Sequence, residues 1–204
     1  MVDDVNSLRS KTQDQLTSRE ATTFLVTCMD FRLIDDACRA MDNMGYNNNY
    51  DQFIVAGASL GLCQTKYPHW GKTVMDHFEI GLALHNFREF IFIDHMDCGA
   101  YKKFYPEIRN AEDERALHKV NLQLAHDTVK KKFPDFNFKA YLMDLTGEIE
   151  EVAIVHDNTI LKNTELVGDH FLSDISEKTV DGPMRKRVSS RTSIRKILED
   201  SENI

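Results

Sequence analysis

Apolar residues along the chain gather into short β-branched or aromatic runs, separated by longer stretches with helical spacing. Ala21 to Thr27 contains Thr-Thr-Phe-Leu-Val-Thr and predicts a buried strand ending at Cys28. Phe53-Ile54-Val55-Ala56 follows the asparagine-rich turn Asn47-Asn48-Asn49 and predicts a second strand ending at Gly57. Phe90-Ile91-Phe92-Ile93 predicts a third, ending at Asp94-His95. Between the second and third, Val74, Met75, Phe78, Leu82 and Phe87 form the stripe of an amphipathic helix over Lys72 to Phe87. Leu117, Val120, Leu124 and Val129 repeat that pattern over Ala111 to Phe133, and Pro134 stops it. Phe138 to Leu145 alternates as a further strand, which Thr146-Gly147 can turn back into Ile149 to Val155. Strand, helix, strand in this order implies parallel crossovers. The expected fold is α/β, a mainly parallel β-sheet flanked by helices, with room for one antiparallel edge.

The ends of the chain read differently. Residues 1–20 are polar and charged, with Val2, Val5 and Leu8 at helical spacing, and predict a helical arm outside the core. After Asp181, Gly182-Pro183 leads into Arg185, Lys186, Arg187, Arg191, Arg195 and Lys196 among serines and a threonine. The organisation expected is therefore an arm over 1–20, one α/β catalytic domain over 21–180 and a basic tail over 181–204. A chain of 204 residues is long enough for one well-buried core without staples. Its net charge of −8, from 33 acidic against 25 basic residues, argues against a nucleic-acid-coating or membrane-surface role. The longest apolar run, Phe53 to Ala58, is far short of the roughly 18 residues of a membrane span. Met-Val-Asp-Asp-Val-Asn-Ser at the start has neither a basic nor an apolar region, so no secretory signal is expected. Four cysteines are too few for a disulfide framework, and their positions become the informative feature.

Ligands in open α/β sheets bind at the carboxyl ends of strands. Three such ends here carry Cys28-Met29-Asp30-Phe31-Arg32, Ala56-Gly57-Ala58 and His95-Met96-Asp97-Cys98-Gly99. Two thiolates and an imidazole from separate strand ends make three-quarters of a tetrahedral zinc shell, and the free fourth position is the catalytic arrangement. Asp30 and Arg32 stand two apart, so on extended backbone they project to one side and can pair bidentately. That pairing holds back a carboxylate which would otherwise compete for the metal's open position. Cys38 and Cys63 read as packing residues. His69, His77, His85, His118, His126, His156 and His170 have no partner at metal spacing. Asp97 is expected to orient the site or brace its loop, and Gly99 to permit the turn into a following helix.

Cys28-x-Asp30-x-Arg32, Ala56-Gly57 and His95-x-Asp97-Cys98-Gly99, in that order, resemble the motif set of the β-class carbonic anhydrases over roughly Phe24 to Val155. The resemblance implies Zn2+ held by Cys28, His95 and Cys98, a catalytic Asp30-Arg32 dyad, and substrate-binding backbone at Gly57 and Ala58. It implies reversible hydration of carbon dioxide to bicarbonate by zinc-bound hydroxide, a parallel-sheet core, and an N-terminal arm that embraces a second subunit in a homodimer or larger homo-oligomer. Thiolate ligands require a reducing compartment, so a cytoplasmic location is expected, with no membrane and no nucleic-acid partner.

The chain departs from the family pattern at several places. Ala58 stands where an asparagine is common, and Asp94 where a glycine is common before the histidine. The stretch between the motifs is extended by Asn43 to Tyr50 and by Lys66 to Trp70. Gln15 is the nearest candidate for the bicarbonate-holding glutamine of some plant-type members. These differences leave two alternatives: a hydrolase of carbon disulfide or carbonyl sulfide on the same site, or a catalytically silent zinc-binding interaction module.

Overall fold

The computed structural model describes residues 21–155. The expected arm over 1–20, the tail over 181–204 and the last part of the expected catalytic domain lie outside the described residues. Within them the order is β1 (Thr23–Thr27), a 3-10 turn (Phe31–Leu33), α1 (Ile34–Asn43), β2 (Tyr50–Ile54), α2 (Ser59–Cys63), α3 (Pro68–Leu84), β3 (Glu89–His95), α4 (Gly99–Phe104), α5 (Ala111–Lys132), β4 (Asn137–Met143) and β5 (Ile149–Glu151). The strands form one sheet in the order β2-β1-β3-β4-β5. All neighbours are parallel except β4 and β5, the antiparallel edge that the Thr146-Gly147 turn predicts.

Alternation along the central strands splits the core between the two faces of the sheet. Phe24, Val26, Phe90 and Phe92 pack to one side with Val74 and Phe78 of α3 and Leu122, Ala125 and Val129 of α5. Leu25, Ile91, Ile93 and Met143 pack to the other with Ala37, Ala40 and Met41 of α1. β1 and β3 are buried at every residue, which is why they read as unbroken apolar runs.

The boundaries move where local chemistry outweighs composition. The second strand is Tyr50–Ile54 rather than Phe53 to Ala56, because the chain must leave the sheet before Gly57, whose φ of +77° only a glycine adopts freely. β3 runs on to His95, so Asp94 and His95 lie on the strand and pair with Leu142 and Met143. α3 starts four residues early, with Pro68 at its first turn, and stops at Leu84. Phe87 therefore lies beyond the helix, though its ring still stacks on Phe78 at 5.6 Å. β5 is only three residues long, short of the expected Val155. Asn110 caps α5 by accepting the N–H groups of Glu112 and Asp113, and Glu112, Asp113 and Glu114 sit in its first turn.

β1 leads outward to β2, and the chain then returns across β1 to β3. The strand order reverses there, so the carboxyl ends of β1 and β3 form a topological switch point, where open α/β sheets place their ligands. Among the described residues no helix is long and apolar enough to cross a membrane.

Candidate metal centre

Cys28 leaves β1 directly, His95 closes β3, and Cys98 follows after the turn through Met96 and Asp97. The parallel pairing of β1 with β3 brings these three together, with one donor atom from each within 4.8 Å of the others. Both cysteines are free thiols, 3.9 Å apart sulfur to sulfur. Two sulfurs bound at about 2.3 Å to one tetrahedral zinc would lie roughly 3.8 Å apart, so the spacing suits a shared metal.

The His95 ring is oriented for the same purpose. Its Nδ1 lies 2.9 Å from the Met96 carbonyl, which fixes Nδ1–H as a donor and leaves the Nε2 lone pair free. Nε2 is buried and makes no hydrogen bond, an arrangement that costs free energy unless a ligand takes the lone pair. A borderline-soft cation such as zinc fits two sulfurs and an unpartnered imidazole nitrogen.

Without a cation, electrostatics favour one deprotonated donor, Cys28, and protonated forms of the other two. Hydrogen bonding from Cys98 lowers the Cys28 thiol to about 4; His95 and the Gly57 N–H, 3.3 Å away, add to this against the opposing effect of burial. The neighbouring Cys28 pushes the Cys98 thiol up, because two sulfurs this close resist carrying two charges. A bound dication removes that resistance. Burial pulls the His95 imidazole down, yet the adjacent Cys28 thiolate outweighs it and raises its pKa.

Asp30 and Arg32 pair through both carboxylate oxygens, with Nε at 3.0 Å from Oδ1 and Nη2 at 2.8 Å from Oδ2. Asp30 is extended, but the chain then enters the 3-10 turn rather than running on as the two-residue spacing suggests, and Asp30 Oδ1 also accepts the Arg32 N–H at 3.0 Å. The turn brings the side chains together by capping rather than by alternation. Arg32 reaches further, donating from Nη1 to Asp97 Oδ2 at 2.8 Å and from Nη2 to the Asp97 carbonyl at 3.1 Å. Asp97 has φ +59° and is also paired with Lys102, so it braces the loop as expected. Arg32 thereby ties the loop after β1 to the loop after β3. Its side-chain hydrogen bonds lower the Asp30 carboxyl to about 2. Asp30 Oδ2 is 3.8 Å from His95 Nε2, beside the donors yet held by the arginine.

Two cavities meet at Cys28 and Asp30. The smaller, about 20 Å3, also has His95, Leu33, Ile54 and Ile93 in its wall. The larger is an open cleft of about 550 Å3 with Tyr67, Trp70, Phe104, Lys66 and Lys103 in its wall, together with Cys98. Lys66 to Trp70, the extension noted in the sequence, supplies much of that cleft. Gly57 and Ala58 line neither cavity: Gly57 contributes its N–H to the Cys28 sulfur, and Ala58 is fully buried with φ +45°. Cys63 lies apart from the cluster, its thiol donating to the Asn121 carbonyl at 3.7 Å.

A buried polar network behind the donors is not apparent from metal spacing. Asp94, His118, Glu114, Ser59 and Tyr101 are all buried, and Glu114 accepts the Cys98 N–H at 2.8 Å. The available signal was a Glu and a His one turn apart on the apolar face of an amphipathic helix.

No family model matches the chain. It is similar to an uncharacterized protein of Rickettsia conorii (strain Malish 7), 41% identical over 138 residues that make 67% of this chain and 74% of that protein. It is similar as well to an uncharacterized protein of Rickettsia bellii (strain RML369-C), 44% identical over 138 residues, 67% of this chain and 84% of that one. Among solved structures, the β-carbonic anhydrase CafA of the fungal pathogen Aspergillus fumigatus aligns at TM-score 0.49 and 9% identity, over 78% of this chain and 85% of that one. One of two tetrameric β-carbonic anhydrases of Sordaria macrospora aligns at TM-score 0.44 and 9% identity, over 69% and 84%.

Proposed function

We propose that this chain, which belongs to the same family as the two uncharacterized rickettsial proteins, is a zinc-dependent carbonic anhydrase interconverting carbon dioxide and bicarbonate. The observation that carries the reading is the pairing of the Cys28-His95-Cys98 donor set, with His95 and Cys98 buried and Cys28 half-buried, with a carboxylate that Arg32 holds beside it. A donor set needed only for structure has no use for a restrained carboxylate at its margin. Zinc held there supplies a Lewis acid that makes water acidic enough to be a nucleophile, with two thiolates damping the pull so that activity rises on the alkaline side of neutral.

The chain's own residues do the rest. Asp30, ionised through the whole physiological range, accepts the hydrogen bond of the attacking water and orients its lone pair. Arg32 fixes Asp30 in place, and Asp97 fixes Arg32. The small cavity between Asp30, His95 and the apolar side chains of Leu33, Ile54 and Ile93 suits an uncharged, linear molecule. At about 20 Å3 it admits only a very small molecule.

The reading includes a homo-oligomer, supported by Met29 and Phe31, which are 64% and 83% exposed on the loop that carries Asp30. It also includes a compartment that keeps thiols reduced. Zinc content, carbon dioxide hydration, and carbon disulfide and carbonyl sulfide hydrolysis, measured on one preparation, test it. Carbon dioxide turnover with bound zinc is expected. Zinc-loaded protein that turns over only the sulfur compounds, or none of the three, contradicts it.

A further inference from the structure

Behind the donor set, four buried side chains, Asp94, Ser59, Tyr101 and His118, are joined by hydrogen bonds that the proposed chemistry does not use, and a fifth, Glu114, faces them across His118. Asp94, with no exposed side-chain surface, precedes His95 on β3. It accepts from the Ser59 N–H at 3.0 Å, the Ser59 hydroxyl at 2.6 Å, the Tyr101 hydroxyl at 2.7 Å and His118 Nδ1 at 2.9 Å. The His118 ring lies on Tyr101, their centroids 3.7 Å apart, and its Nε2 faces Glu114 Oε1 at 3.8 Å. That same Glu114 oxygen accepts the Cys98 N–H at 2.8 Å.

The chain of contacts therefore begins beside one donor residue, His95, and ends on the backbone of another, Cys98. Along it the His118 ring stands between the Asp94 and Glu114 carboxyl groups, 2.9 Å from the first and 3.8 Å from the second. Four hydrogen bonds converging on the buried Asp94 carboxyl group hold Ser59, Tyr101 and His118 in one arrangement against Glu114. Cys98 is the donor that most needs this. It sits past the left-handed Asp97, at the start of a six-residue helix, where no strand ladder fixes its backbone.

We propose that Glu114, seated by His118 and Asp94, is the positioning residue of the metal centre. By accepting the Cys98 N–H it sets where the Cys98 sulfur stands relative to Cys28 and His95. This inference rests on the metal-centre reading above, but on no particular substrate.

The test uses the full chain with zinc alone, its affinity measured by competition with a chromophoric chelator. Cobalt(II) serves as a spectroscopic probe of the sulfur donors. Glu114→Ala is expected to weaken zinc by roughly 10- to 100-fold, the usual effect of removing an outer partner of a ligand, and to alter the cobalt spectrum. Glu114→Gln keeps an oxygen for the Cys98 N–H and is expected to stay within about threefold of the wild type. Glu112→Ala, exposed on the first turn of the same helix, controls for effects on the helix itself. Should the alanine variant fail to fold, Glu114→Asp, shorter by one methylene, takes its place. A merely structural role would lower the melting temperature and leave zinc affinity and the cobalt spectrum of the folded protein unchanged. Wild-type affinity in Glu114→Ala, or equal losses in the alanine and glutamine variants, overturns the proposal alone. A wild type that binds no metal overturns the metal-centre reading with it.

Discussion

The guanidinium of Arg32 is divided between two carboxylates, and the division has separate consequences for chemistry and for stability. For chemistry, it keeps Asp30 ionised and held beside the donors. Arg32→Ala should cut carbon dioxide hydration by roughly 100-fold or more while zinc content stays at the wild-type level. Arg32→Lys should not restore it, since a single ammonium cannot reproduce the fork across Asp30 and Asp97. Unchanged turnover in either variant contradicts the role of the dyad. For stability, the Arg32 hydrogen bonds lower the Asp30 carboxyl from 3.8 to about 2 on folding. A carboxyl lowered in this way lends stability that is complete above its unfolded pKa and lost as pH falls through the folded value. In the metal-free chain, denaturant unfolding of the wild type against Asp30→Asn should show a constant difference above about pH 4 that fades towards about pH 2. Asparagine can still cap the turn, so the comparison isolates the charge. A difference that persists undiminished at about pH 2 contradicts the ion pair as its source.

At the scale of elements, the two central strands hold the site because their faces are packed on both sides. Phe78 of α3 is the clearest anchor: fully buried, its ring lies 4.1 Å from that of Phe90, 5.4 Å from Phe24 and 5.6 Å from Phe87. Phe78→Ala should cost about 3–5 kcal/mol in denaturant unfolding, the range for emptying a buried aromatic site. Phe31→Ala, at a residue 83% exposed, should stay within about 0.5 kcal/mol in the metal-free chain at dilutions where any oligomer is dissociated. Equal costs would contradict the assignment of core and surface.

The same contrast explains what the sequence made legible. β1 and β3 were readable because strands buried on both faces leave unbroken Phe, Ile, Val and Leu runs, and the donors stand at their carboxyl ends. The edge strand β2 was misplaced because Tyr50, Asp51 and Gln52 carry little apolar signal, whereas Val55 and Ala56 are apolar but belong to the turn into Gly57. The Asp30-Arg32 pairing was legible, yet its route was not, since a two-residue spacing cannot distinguish an extended segment from a capped 3-10 turn. Glu114 and His118 are not legible because their hydrogen-bond partners, the Cys98 N–H and Asp94, come from other elements.

For the molecule as a whole, the switch point of the sheet gathers the donors, Arg32 ties the two donor-bearing loops together, and the buried network supports them from behind. The open cleft of about 550 Å3 beside the donors gives access from solvent. The most direct test of the central claim is carbon dioxide hydration by the zinc-loaded full chain, followed from neutral to alkaline pH beside Cys98→Ser. Hydration that rises towards alkaline pH in the wild type, and is lost with the metal in a Cys98→Ser chain that still folds, is the predicted result. Fully zinc-loaded wild type that hydrates no carbon dioxide at any pH in that range would contradict the account.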